Sequence, residues 1–258
     1  MRNYQINIFK KYINIYNNIM LKNDIQYQME VMDNLYKVFN QDLLPPDHIN
    51  FLENVLHKKF NIQPKIIYDI GSAVLHWERH AKRIFKDSKI FCFDAFSPLE
   101  ELYKKQNVNY NMCCLSNVDG LSVPFYQNDI LFGGNSIFKE KTKHFPPENY
   151  IIKTTRTLDS IVNEKNLPYP DMIKIDAQGN ELNILKGATQ VLKCCSYLIL
   201  ELPTIEYNEG APQKEAVIEY LKNIGYIIFC ENFSTNIADA DTCFVNTART
   251  NFIIKSLN

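Results

Sequence analysis

The chain has 258 residues, 46% of them hydrophobic and 12% aromatic, which is enough to build a buried core and too apolar for a disordered chain. With 28 basic against 29 acidic residues the net charge is −1, so it carries no electrostatic footprint for nucleic acid or an anionic membrane surface. No apolar run reaches the roughly 18 residues of a membrane span, and the opening MRNYQINIFKKYINIYNN lacks the unbroken apolar stretch of a secretory signal. A cytoplasmic protein is expected, with neither nucleic acid nor a membrane span among its partners. The 7 cysteines include two directly adjacent pairs and no C-x-x-C spacing. They read as small buried hydrophobes, not as a zinc or disulfide framework.

Residues 1–60 contain no glycine, and apolar residues recur at helical spacing from Ile6 to Phe39. Leu44-Pro45-Pro46-Asp47 stops one helix and starts another that runs to about Lys59. This helical extension either covers the main domain, shapes an acceptor site or pairs two copies as a homodimer. The main domain is expected over 61–258. Lys65–Gly71 and Lys89–Asp94 are apolar runs ending in an acid, with a helix at about Leu75–Phe85 between them. A helix at Glu100–Lys105 leads to a third run, Val108–Leu115. Residues 119–153 interrupt the rhythm and read as an irregular insertion with short strands. A helix at Leu158–Glu164, the strand Asp171–Asp176, a helix at Glu181–Leu192 and the strand Tyr197–Glu201 follow. After the helix Lys214–Ile224, two strands at about Tyr226–Cys230 and Thr242–Asn246 have no helix between them and are expected to pair antiparallel. Apolar strands separated by helices predict an α/β doubly wound, Rossmann-like sheet closed by an antiparallel edge pair.

Ligands of such sheets bind at the carboxyl ends of the strands. Asp69, Asp94, Asp176 and Glu201 each end a predicted strand and are expected to converge on one rim. Asp69-x-Gly71 followed by Ser72-Ala73 is a strand-to-helix turn whose N–H groups are expected to meet a ligand. Asp94, followed by Ala95, lies 25 positions after Asp69, where an acid accepts hydrogen bonds from ribose hydroxyls. The two together suit an adenosyl ligand without a pyrophosphate, S-adenosylmethionine, with Cys114 and Leu115 bordering the adenine.

Lys174-Ile175-Asp176-Ala177-Gln178-Gly179-Asn180-Glu181 continues into Leu185-Lys186-Gly187-Ala188. This run resembles the signature K-I-D-x-[EQ]-G-x-E-x-x-x-L-x-G-A of the FkbM-type S-adenosylmethionine-dependent methyltransferases, a class I methyltransferase fold. Thr157-Leu158-Asp159 resembles that family's T-L-D, and Gly134-Asn135-Ser136 its small-residue loop near the cofactor, which implies that Ser136 binds there. The segment from Glu206 to Pro212 resembles one that follows strand five in a branch of the family. The first motif departs from the usual D-x-G-A-N-x-G: Ala73 stands for Asn and Leu75 for the second Gly. His76 and Trp77 are expected to fill some of the space this leaves, Trp77 as a wall of the cofactor site and His76 toward the substrate.

The resemblance implies O-methylation, commonly of a sugar hydroxyl in glycan or nucleotide-sugar biosynthesis. Asp176 is the expected general base, with Glu201 assisting and Lys174 paired to one of them. The two acids would be the ligands if a divalent cation takes part. Glu206, Tyr207 and Asn208 are expected at the substrate, Tyr207 and Asn208 by stacking and hydrogen bonding. A different small-molecule, lipid or protein acceptor is the alternative, as is a non-catalytic scaffold, for which the altered glycine motif is the support.

Overall fold

The structure, a computed structural model, describes residues 25–142, 145–146, 148–236 and 238–250. The periodic positions before residue 25 lie outside the described residues. The strands are β1 (Ile66–Ile70), β2 (Lys89–Asp94), β3 (Asn109–Met112), β4 (Cys114–Leu115), β5 (Ser122–Tyr126), β6 (Tyr150–Arg156), β7 (Met172–Ile175), β8 (Tyr197–Pro203), β9 (Tyr226–Thr235) and β10 (Asp239–Asn246). The helices are α1 (25–39), α2 (Pro46–Asn50), α3 (His76–Ile84), α4 (Leu99–Gln106), α5 (Leu158–Glu164), α6 (Glu181–Lys186), α7 (Thr189–Cys194) and α8 (Lys214–Asn223).

The main sheet has the order β3-β2-β1-β7-β8-β10-β9. Its first five strands run parallel, and β10 pairs antiparallel with both β8 and β9. This is the expected doubly wound sheet with its antiparallel closing pair. Alternation along the strands sends Ile67, Cys92, Met172, Ile199 and Cys243 to one face and Tyr68, Phe93, Ile173, Leu198 and Phe244 to the other. Helices α1, α3 and α4 cover the first face through Leu35, Trp77 and Leu102. Helices α5 to α8 cover the second through Leu158, Leu185, Val191 and Leu221. Both faces are thus removed from water, which is why the strands read as near-continuous apolar runs.

Helix α2 continues as a π-helical segment, Phe51–Lys59, with the wide spacing seen in Phe60 N–H to Val55 O. It docks on the far edge of the sheet, where Phe51 stacks on Phe233 at 3.8 Å between centroids and Phe60 meets Phe229 edge-on at 5.0 Å. The described part of the N-terminal extension therefore packs on the chain's own sheet.

Three expectations need correction. The run 108–115 is two strands, because the chain leaves the main sheet after Met112 and Cys114–Leu115 pairs with β6 in a separate sheet of order β4-β6-β5. The helix expected over 181–192 is broken at Gly187-Ala188. A Cβ on Gly187 would lie 2.1 Å from the Ser116 carbonyl oxygen, so the chain turns there against β4. Glu201 sits inside β8, which runs on to Pro203 because Asp239 continues the pairing of β10.

Candidate active site

The turn after β1 carries the altered glycine motif, and it keeps the left-handed backbone that glycine or Asn would adopt there. Gly71, Ala73 and Leu75 have φ of +76°, +41° and +64°. Gly71 is obligatory in a second way, since a Cβ there would fall 1.8 Å from the Asp176 carbonyl oxygen. The turn does not offer its N–H groups to a ligand as expected. Those of Gly71 and Ser72 are directed to Phe93 O, and that of Ala73 donates to Asp94 Oδ2 at 2.9 Å. Asp94 Oδ1 accepts from Phe96 N–H at 2.8 Å, and the Tyr103 hydroxyl donates to Ala73 O at 2.7 Å. Ala73 is therefore gripped from both sides, which holds a conformation that costs a non-glycine residue about 1–2 kcal/mol.

The run from Lys174 to Ala188 is resolved into separate physical tasks. Lys174 is buried and donates to Asp176 Oδ2 at 2.7 Å. Gln178 donates through Nε2 to both Asp176 Oδ1 at 2.7 Å and Glu201 Oε2 at 2.9 Å, while its Oε1 accepts from Tyr207 OH at 3.0 Å. Its carbonyl oxygen accepts from Ser136 Oγ and Asn208 Nδ2. Glu181, fully buried, accepts the N–H groups of Ala177 and Gly179 and fixes the turn that carries Gln178. Asn180 Nδ2 donates to Leu115 O, tying this turn to β4. Thr157 caps α5, and the Asp159 carboxylate accepts the N–H groups of Gln190 and Val191 at the start of α7.

Two pockets meet at Asp176. The Asp94 pocket is walled by Gly71, Ala73, Ala95, Cys114, Leu115 and Ser136 as well as Asp94 and Asp176, all expected at the cofactor. The Glu201 pocket is lined by Asp176, Lys174, Glu201, Ser72, His76 and Trp77, joined by Asp239, Asp241 and His48. Trp77 and Ser72 thus face the second pocket. Asp69 lines neither: it is fully buried beneath the turn, and both its carboxylate oxygens lack a hydrogen-bond partner. Glu206 is exposed and paired with Lys141, while Asn208 holds Gln178, and Tyr207 holds Gln178 and also bonds Asp239.

The charges are strongly perturbed. Burial raises Asp94 to about 6, opposed by the N–H groups it accepts, and raises Asp69 to about 7, opposed by Lys174. Burial also works against the charge on Lys174, but Asp176 and Glu201 outweigh it and hold that ammonium well above its ordinary value. Asp176 is half-buried, and although that desolvation works against its charge, Lys174 keeps it below the usual carboxylate value, whereas burial and the Asp176 charge push Glu201 well up. Two adjacent carboxyl groups are thereby driven apart, one kept ionised and one inclined to hold a proton. Among the described residues no group of three or more His, Cys, Asp or Glu is arranged to hold a metal ion. Asp176 and Glu201 are tied instead to Lys174 and Gln178.

Sequence reasoning did not single out Gln178, His48, Asp239 or Asp241. Gln178 was visible as a letter of the signature run, though nothing local indicates that it bridges two strands. Trp77 Nε1 donates to His48 Nε2 at 2.7 Å; because indole is only a donor, that nitrogen is the acceptor, and Nδ1–H donates to Asp241 at 3.1 Å. This relay joins α3, α2 and β10, and no spacing in the sequence announces it.

The family model for the methyltransferase FkbM domain matches residues 79–228. Hexuronic acid methyltransferase AglP of Haloferax volcanii is 24% identical over 143 residues, 53% of this chain and 55% of that protein, so the chain spans about half the length of the curated relative it matches. Among solved structures, magnesium protoporphyrin IX methyltransferase from Synechocystis PCC 6803 aligns with a TM-score of 0.44 at 11% identity, over 83% of this chain and 90% of that one. A precorrin-6y C5,15-methyltransferase from Geobacter metallireducens aligns with a TM-score of 0.39 at 15% identity, over 74% and 84%.

Proposed function

The chain belongs to the FkbM methyltransferase family, and we propose that it is an S-adenosylmethionine-dependent O-methyltransferase acting on a sugar hydroxyl in glycan or nucleotide-sugar biosynthesis. The observation that carries this reading is that Asp176 lines both pockets, so a donor in one and an acceptor in the other would meet at a carboxylate.

The residues of the Asp94 pocket fit the cofactor. Asp94 would take the ribose hydroxyls. Cys114, whose thiol burial pushes up to about 11 and so keeps neutral, forms with Leu115 an apolar wall for the base. Asn135 Nδ2, a buried donor on the same wall with no partner, supplies a polar contact for a heteroaromatic ring. Gly71 to Ala73 would face the methionine end. The left-handed backbone kept at Ala73 and Leu75 weakens the scaffold reading, because the turn retains its shape without the glycines.

Bound there, S-adenosylmethionine would supply an electrophilic methyl on a sulfonium, for transfer to an acceptor oxygen with the carbon–sulfur electron pair left on sulfur. The chain's task is to orient the hydroxyl, exclude water and receive its proton. Asp176, held ionised by Lys174, orients the hydroxyl as acceptor of its hydrogen bond. The proton passes to Asp176, the ionised member of the pair, while Glu201, inclined to hold its own proton, assists beside it. Gln178 keeps the two carboxyl groups in register. In the same reading, the segment from Leu43 to His48 of the N-terminal extension shapes the acceptor pocket, since Pro45 and His48 line it.

Calorimetry with S-adenosylhomocysteine tests the cofactor, and mass spectrometry of sugar phosphates, nucleotide sugars and glycans incubated with the chain and methyl-labelled S-adenosylmethionine tests the reaction. The label is expected on a sugar oxygen. Absence of S-adenosylhomocysteine binding would overturn the cofactor assignment, and label on lipid or protein alone would overturn the acceptor assignment.

A further inference from the structure

Strand register places a row of charges on one face of the sheet. Asp69 and Lys174 are cross-strand partners, and Glu201 and Asp241 are partners one strand pair further on. Asp176 follows β7 directly, and Asp239 lies two residues before Asp241 on the same side of its strand. At or below the floor of the Glu201 pocket this makes five carboxyl groups and one ammonium.

The other basic groups at the pocket do not redress the balance. His48 has both ring nitrogens engaged, Nε2 by the Trp77 indole and Nδ1 by Asp241. His76 spends Nε2–H on Val38 O, and burial lowers its pKa. Lys139 and Lys141 lie outside the pocket lining and are paired with Glu209 and Glu206.

The excess shows in the carboxyl groups themselves. Besides burial, the Asp176 charge raises Glu201, and Asp176 and Asp241 raise Asp239, which reaches about 6. The fully buried Asp69 has neither carboxylate oxygen hydrogen-bonded. A cofactor with a sulfonium, an ammonium and a carboxylate brings one net positive charge, which leaves the row still negative.

We propose that the Glu201 pocket is built for an acceptor bearing an ammonium beside the reacting hydroxyl, an amino sugar, and that it turns away uronates. The ammonium would sit against Asp239 and Asp241, the two acids furthest along the pocket from the Asp94 side, and the hydroxyl against Asp176 and Glu201. A hexuronic acid, the acceptor class named for the Haloferax volcanii relative, would instead bring a carboxylate against this row, and like-charge juxtaposition is what excludes wrong partners from a desolvated site. The inference rests on the methyltransferase reading of the same site.

The test uses the full chain saturated with S-adenosylhomocysteine and titrated by calorimetry with D-glucosamine, D-glucose and D-glucuronate, three pyranoses that differ chiefly in charge. Glucosamine is expected to bind at least about tenfold more tightly than glucuronate, with proton release as the raised carboxyl groups ionise, and glucose to fall between. Asp239→Asn, which keeps the shape, should shrink that preference while leaving S-adenosylhomocysteine affinity unchanged. Glucuronate binding as well as glucosamine, glucosamine failing to bind, or a preference unmoved by Asp239→Asn would each overturn the inference while the cofactor reading stands. Failure of S-adenosylhomocysteine itself to bind would overturn both.

Discussion

Replacing Asp176 by Asn removes the charge that faces Lys174 Nζ at 2.7 Å and leaves an ammonium only 5% exposed without its nearest counter-ion. Breaking a buried pair from one side typically costs about 3–5 kcal/mol. Two features lower that figure here. The Asp176 side chain is 28% exposed, so part of its field is already screened by water. Glu201, which the Asp176 charge pushes toward protonation, ionises more readily once that charge is gone and takes its place beside Lys174. The expected loss is about 2 kcal/mol, or roughly 4–8 °C in melting temperature for a domain of this size. Adding Lys174→Met to Asp176→Asn removes the stranded charge and should recover at least about half of the loss. Methyl transfer should stay down by about 10²–10⁴-fold in both variants, and S-adenosylhomocysteine affinity should change little, because on the proposed reading Asp94 and the turn after β1 would hold it. Thermal and urea unfolding of the parent, both single variants and the double variant measure the cycle. A double variant less stable than either single one would refute the account of Lys174 as a charge that exists to balance Asp176.

Gly71→Ala must move the turn by more than 1 Å to clear Asp176 O, since its Cβ would start 1.8 Å away; cofactor affinity is expected to fall by about 10²-fold, measured by calorimetry, and a variant binding as the parent does would sink the close-approach argument. Burial raises Asp69 from its ordinary 3.8 to about 7 in the folded chain, so the stability linked to its proton is complete below about pH 4 and is lost as pH rises through about 7. Asp69→Asn should therefore be more stable than the parent at about pH 8 and nearly equal to it at about pH 4, in melts run across that range; equal gains at both ends would show that charge is not the cause. Ala73→Gly, at φ +41°, should raise stability by about 0.5–1 kcal/mol as strain relief exceeds the added unfolded-state entropy, and an unfolding midpoint at or below that of the parent would contradict it.

The sheet was legible because its strands are buried on both faces and its helices end at capping residues: Thr157 and Gly225 bound elements where the sequence placed them. The break inside 108–115 was not, since Met112-Cys113-Cys114 carries no turn residue and only pairing with β6 separates the two strands. The break at Gly187 was hidden because a glycine inside a helical pattern gives no hint of a carbonyl pressed against it from residue 116. At the site, the acids on the strand ends could be read from their place in the pattern. Their division between two pockets could not, because it depends on Gln178 reaching sideways to Glu201 and on His48 arriving from α2. Spacing along a chain reports what neighbours in sequence do, and these contacts span 23 and 193 positions.

The two pockets also differ in which parts of the chain must be present before they exist. The wall of the Asp94 pocket is drawn from residues 70–184, a continuous middle stretch, whereas the Glu201 pocket needs Leu43 to His48 from one end and Ser234 to Asp241 from the other. During synthesis the first can close while the last strands are still to emerge, and the second cannot close until β10 inserts between β8 and β9 and gives His48 its partner. A chain cut short after α8 would thus keep the residues of the Asp94 pocket and lack part of the lining of the Glu201 pocket. Completion of the Glu201 pocket is tied to the arrival of β10.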